Sequence, residues 1–171
     1  PASTRCGGLP DGVVAMDDLF SAWAVLALPG ATDVDDQEVE PGLLRLRLSA
    51  QGITDCAGTP DTTQCSESSP DDFPCGWDVE ISLPPSESEP GTIDLADETD
   101  TDYNVRGGQR DPTRLDTSRG SLVIHRVTAD CVIGEFVDVD MLANDSGRPL
   151  NGGFVAEICQ RQCIPSQGRG C

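Results

Sequence analysis

Apolar residues recur at every second position along most of this chain, and that period constrains its fold more than any other feature. Leu44, Leu46 and Leu48 alternate with Arg45, Arg47 and Ser49. Val79, Ile81 and Leu83 alternate with Asp78, Glu80 and Ser82, and Ile93 and Leu95 with Thr92 and Asp94. In a strand successive side chains point to opposite faces, so each run predicts a half-buried strand with one dry and one wet face. Leu122 to Ala129 and Val132 to Met141 are apolar on both faces and read as central strands, with Gly153 to Cys159 as their partner across a turn at residues 144–149. Tyr103 and Val105 suggest one further short strand. Seven or eight strands without alternating helices predict an all-β, antiparallel β-sandwich of Greek-key or jelly-roll type; the clean wet/dry alternation favours it over a barrel.

Val13 to Leu28 reads two ways. Val13, Met16, Phe20, Trp23 and Leu26 fall at helical spacing, whereas Trp23 to Leu28, followed by Pro29 and Gly30, fits a buried strand. We expect a strand over 21–28, with one short helix allowed before it. Residues 1–20 then form an N-terminal arm, and 21–171 one disulfide-stapled domain with a cysteine-dense loop at 56–75.

Eight cysteines, Cys6, Cys56, Cys65, Cys75, Cys131, Cys159, Cys163 and Cys171, make an even number without a metal-type CxxC pair. Such usage points to an oxidising compartment and up to four disulfides, hence to an extracellular or cell-surface protein. A hairpin centred near Gly147 would set Cys131 opposite Cys163 and diagonal to Cys159, so one of these is its expected partner. Cys56, Cys65 and Cys75 are expected to take one local bridge plus one long-range bond, with Cys6 as the candidate partner. No signal peptide is visible, so export implies that Pro1 lies at or near a mature N-terminus. Cys6 is not first, which argues against a lipid anchor.

The net charge is −19, and all eleven basic residues are arginine. A polyanion is repelled by nucleic acid and by anionic membranes, so neither is an expected partner. No apolar run approaches the length of a membrane span. Without lysine there is no side-chain amine for a Schiff base or an isopeptide crosslink.

No GxSxG, P-loop, GxGxxG or HExxH motif occurs. The single histidine, His125, lies between Val123 and Val127 on one strand face and reads as a packed or rim residue. A carboxylate pair for glycoside hydrolysis needs a sugar cleft, and aromatic residues make up only 4% of the chain. Trp23 and Trp77 read as core anchors. We therefore expect no enzyme. Three acidic groups could hold calcium, which takes several hard oxygen ligands: Asp33, Asp35, Asp36, Glu38 and Glu40; Asp97, Glu98, Asp100 and Asp102; and Asp138, Asp140 and Asp145. Asp33, Asp35, Asp36, Asp97, Asp100 and Asp102 are the preferred ligands; the bland alternative is a solvated acidic surface. Asn144-Asp145-Ser146 is a glycosylation sequon.

The runs Gly120-Ser121-Leu122-Val123-Ile124, Val132-Ile133-Gly134-Glu135-Phe136 and Gly152-Gly153-Phe154-Val155-Ala156-Glu157-Ile158-Cys159 form a "GxLxI … VxGxF … GxFxAxxC" pattern. This pattern, over about residues 91–163, resembles the C-terminal half of secreted proteins and lipoproteins of myxobacterial type. The acidic, lysine-free composition is similar to theirs. The resemblance implies an extracellular bacterial β-sandwich and carries over no functional residue.

These features lead to a non-enzymatic extracellular bacterial structural protein, the subunit of a surface filament. Its apolar arm, through Val13, Val14, Met16, Leu19 and Phe20, would add to a neighbour's open sheet edge and repeat head-to-tail. The bland alternative is a monomer whose arm packs on its own domain, with its ends pinned by Cys6 and Cys171. The other reading is a monomeric, calcium-stabilised module that binds polysaccharide or a partner protein through Trp77, Tyr103 and the acidic loops.

Overall fold

In a computed structural model, residues 6–17, 19, 21–33, 36–49, 78–95, 102–106, 113–116, 119–143 and 146–164 are described. They form eleven strands: β1 (Ser21–Asp33), β2 (Leu44–Ser49), β3 (Asp78–Leu83), β4 (Gly91–Asp94), β5 (Asp102–Arg106), β6 (Thr113–Asp116), β7 (Ser121–Val127), β8 (Cys131–Val137), β9 (Asp140–Ala143), β10 (Ser146–Pro149) and β11 (Gly152–Ile164). One short 3-10 turn spans Pro85–Glu87. The all-β expectation holds, and no α-helix occurs among the described residues.

Eight strands form one curled, half-barrel sheet in the order β4-β7-β8-β11-β1-β2-β3-β5, and β10-β9-β6 form a second, three-stranded sheet. Two runs of antiparallel neighbours, β1-β2-β3-β5 and β4-β7-β8-β11, are built from nearby chain segments. They are zipped together by β1 and β11, which pair in parallel with Trp23 opposite Glu157 and Val25 opposite Cys159. The sheet is therefore mixed, which corrects the expectation of a purely antiparallel one. Alternation sets which face of a strand is dry, but it carries no information about the direction of a partner 130 residues away.

The expected dry faces are the dry faces. Leu44, Leu46, Leu48, Val79, Ile81, Leu83, Leu122, Ile124, Val132, Phe136, Phe154 and Ala156 share one core, with the Phe136 and Phe154 rings 5.9 Å apart. A smaller cluster on the other face of β1 gathers Trp23, Val25, Ala27 and Ala31. There Arg47, only 4% exposed, lays its guanidinium 5.8 Å from the Trp23 ring centroid. The negative face of the ring helps to offset the burial of this charge.

Three boundaries differ from expectation. Pro29 and Gly30 do not end β1. Gly30 takes φ +77° and the pairing with β11 shifts register between Ala27 and Thr32, so the strand bends and continues. The run 132–141 breaks at Asp138, which takes φ +55°. The Val139 amide then donates to Asn151 Oδ1 (3.0 Å) and the Leu150 amide to the Val139 carbonyl (2.8 Å). This pinch ejects β9 and β10 as a separate hairpin, so residues 146–149 are strand, not turn. Finally, Val13 to Asp17 is not helical. Glycines and Pro10 precede it, and Ala15 instead bridges to Gly153 in strand fashion.

Candidate functional site: the N-terminal arm and its seat

The N-terminal arm lies on the sheet, held at three places. The first is covalent. Cys6 is joined to Cys131 at the start of β8, with Cα atoms 5.6 Å apart and a sequence separation of 125. Arg126 Nη2 donates to the Cys6 carbonyl beside this bond. Cys131 opens β8 on the face opposite the main core; Ile133, two residues on and on that same face, is only 1% exposed. The arm then turns, the Val13 amide donating to the Pro10 carbonyl (3.1 Å).

The second place is a strand contact. The Gly153 amide donates to the Val14 carbonyl (2.7 Å), and the Met16 amide donates to the Gly153 carbonyl (2.9 Å). Ala15 and Gly153 thus form a parallel bridge on the edge of β11 that β1 has not yet reached. The third is apolar. Met16, 6% exposed, joins the main core, and Leu19 packs against it. Between these points the arm stands out: Val14 is 76% exposed.

The seat is shaped by two glycines. A Cβ on Gly153 would lie 2.5 Å from Val13 Cγ1 and 2.8 Å from Leu9 Cδ2. A Cβ on Gly152, which adopts φ +121°, would lie 2.6 Å from Met16 Cα. All three distances are below any real non-bonded carbon contact, so the pair Gly152-Gly153 is the imprint of the arm in β11. Leu9, Gly152, Gly153 and Arg126 were not among the site residues expected from sequence, and Cys131 was expected as a disulfide cysteine with a different partner. A glycine pair opening an apolar strand was the one available signal, since glycine inside a strand marks close approach of another backbone.

The Cys6–Cys131 bond also corrects the expected pairing of Cys131 with Cys159 or Cys163 and of Cys6 with the loop cysteines. In the β8–β11 pairing, Cys131 lies opposite Glu157, because this register and that of β9 with β10 both centre between Ala143 and Ser146 rather than on Gly147. Cys159 is disulfide-bonded as well. Cys163 sits within β11, and Cys56, Cys65, Cys75 and Cys171 lie outside the described residues.

The acidic groups separate. Asp33 Oδ1 accepts the Gln37 amide (2.9 Å), the Asp33 amide donates to the Gln37 carbonyl (2.8 Å), and Asp36 takes φ +58°, so Asp33 is engaged with Gln37. Asp140 is engaged by Arg119. Asp102 belongs to β5; Asp35, Asp97, Glu98, Asp100 and Asp145 lie outside the described residues, as do Phe20, Trp77 and Asn144. Among the described residues no three Asp, Glu, His or Cys side chains come together as metal ligands. His125 Nε2 pairs with Glu135 Oε1 at 3.0 Å across β7 and β8, both side chains about three-quarters covered. Arg45 Nε donates to Ser82 Oγ (3.1 Å) and approaches Glu80 Oε1 (3.7 Å). These are cross-strand pairs of the kind that stabilise a sheet. No protein-family model, curated protein or solved structure matches the chain.

Proposed function

We propose that this chain is a non-enzymatic, extracellular structural protein, a filament subunit whose N-terminal arm is its assembly element. The observation that carries this reading is the strand-type contact of Val14 to Met16 with Gly153. It is a β-addition made by a segment that lies outside β1 and needs a glycine-lined seat. A closed monomer and a head-to-tail polymer can share all such contacts and differ only in the connector between arm and body. For the body itself we propose a sandwich in which β10-β9-β6 forms part of the second layer; complete burial of Leu44, Leu46, Leu48 and Ile81 supports a covered sheet face.

Negative-stain electron microscopy of the purified, oxidised protein, with calcium and then with a chelator, tests the reading. Regular filaments are expected, and filaments that dissolve in chelator would add calcium to the interface. Single compact particles under both conditions would overturn it in favour of the monomeric module, with glycan screening next.

A further inference from the structure

We infer that the Gly152–Gly153 seat is the acceptor for residues Cys6 to Met16 of a second copy of this chain, and that the Cys6–Cys131 bond then joins one subunit to the next. This inference rests on the assembly reading above and names its contact and its covalent link.

Four observations lead here. First, the arm and β1 are both parallel to β11 but in different frames. Ala15 faces Gly153 and Trp23 faces Glu157, so eight steps along the arm side match four along β11. Extended at about 3.3 Å per residue, eight steps would reach roughly twice as far as the four along β11. That length lets the arm leave its own seat for another while β1 stays in place. Second, most of residues 7–15 are exposed, and among the described residues the arm is held non-covalently by two backbone hydrogen bonds at Gly153, the Arg126 bond to the Cys6 carbonyl, and the packing of Leu9, Val13, Met16 and Leu19.

Third, the charge pattern suits this contact. The chain carries −19, yet Cys6 to Met16 contains a single charged residue, Asp11, and the seat Gly152 to Ala156 contains none. Two such polyanions repel at most approaches; an almost neutral arm entering an uncharged strand, with Arg126 at the cysteine end, meets the least repulsion. Fourth, the disulfide, hydrogen-bond and seat partners that the described arm residues find outside the arm lie on β7, β8 and β11, and Met16 reaches the main core beside them, so a copied arm finds the same partners in the same geometry. Bond formation is balanced: the Cys6 and Cys131 thiols lose two protons and two electrons to a disulfide-bearing oxidant, which departs as a dithiol.

Co-export of two full-length chains into an oxidising compartment tests this. One is the natural chain. The other carries Gly8→Ala, where a Cβ meets no atom within 4 Å, and Val137→Ile on an exposed position. Each change adds one methylene, the first to the arginine-cleaved peptide that holds Cys6 and the second to the one that holds Cys131. Linkage within chains gives disulfide-joined peptides with zero or two extra methylenes. Linkage between chains adds the single-methylene species, expected to approach half of the total for random neighbours. Absence of that species overturns the inference. If filaments are nevertheless seen in the same sample, assembly stands on another contact; if neither appears, both readings fail. Single-methylene species in compact dimers support arm exchange and overturn the open filament.

Discussion

Cys6 and Cys131 are joined across 125 residues, and the bond fixes the arm to the first residue of β8 while the next strand contact, at Gly153, lies at the far end of the β8–β11 pair. The arm is thus tied at both ends of one strand pair, and the two ties can be cut separately.

Cutting the covalent tie should cost stability through the unfolded chain. Cys6→Ser with Cys131→Ser releases a long loop, and the expected loss is about 2–4 kcal/mol, moderated because Cys159 provides another crosslink. Denaturant unfolding gives the number; an unchanged midpoint would mean that the bond restrains nothing. In the same variant, amide exchange at Gly153 and Met16 should accelerate more than exchange in β2 and β3, because only the former depend on the arm.

Filling the seat should cut the second tie. Gly153→Ala places a Cβ against Val13 and Leu9, and Gly152→Ala adds backbone strain at φ +121° to a clash with Met16. We expect losses of about 1–3 kcal/mol for Gly153→Ala and more for Gly152→Ala. Gly91→Ala, in an open position on β4, should change stability by under about 1 kcal/mol and serves as the control.

Screening should favour assembly. Raising the salt concentration from about 0.01 to 0.5 M shortens the reach of the −19 charge from about 30 Å to a few Å. Light scattering should then show the onset of assembly at a lower protein concentration. The opposite trend would assign assembly to ion pairs between subunits.

Arg47 and Trp23 offer a test of the smaller core. Arg47→Ala removes the cation from the Trp23 face and opens space at a position 4% exposed, with an expected loss of about 1–3 kcal/mol and altered fluorescence in a Trp77→Phe background. Arg47→Met, which keeps the packing and removes the charge, should lose less. Equal losses would place the effect in the charge alone.

Faces were legible in the sequence, and neighbours were not. The alternation through Leu44, Leu46 and Leu48 names the buried side of β2 because side-chain direction is local. The parallel zip of β1 onto β11 and the bond of Cys6 to Cys131 are long-range choices among many apolar edges and many cysteine pairings, and no local pattern ranks them. The arm shows both cases. Val13, Val14, Met16 and Leu19 stood out by apolarity, whereas the acceptor, Gly152 and Gly153, has no side chain with which to announce itself. Asp138 explains the remaining error: one residue at positive φ splits an apolar run into two strands, and aspartate is a residue type that tolerates this conformation.

The central claim is that the arm in its glycine seat joins subunits, and imaging the natural chain beside Gly153→Val by electron microscopy tests it most directly. Both proteins should keep the near-ultraviolet circular dichroism of the Phe136–Phe154 pair, since a Cβ on Gly153 meets Val13 and Leu9 rather than these rings. The account predicts filaments from the natural chain and compact particles from the variant. Filaments of equal length and number from both, or none from the natural chain at any concentration or salt, would contradict it.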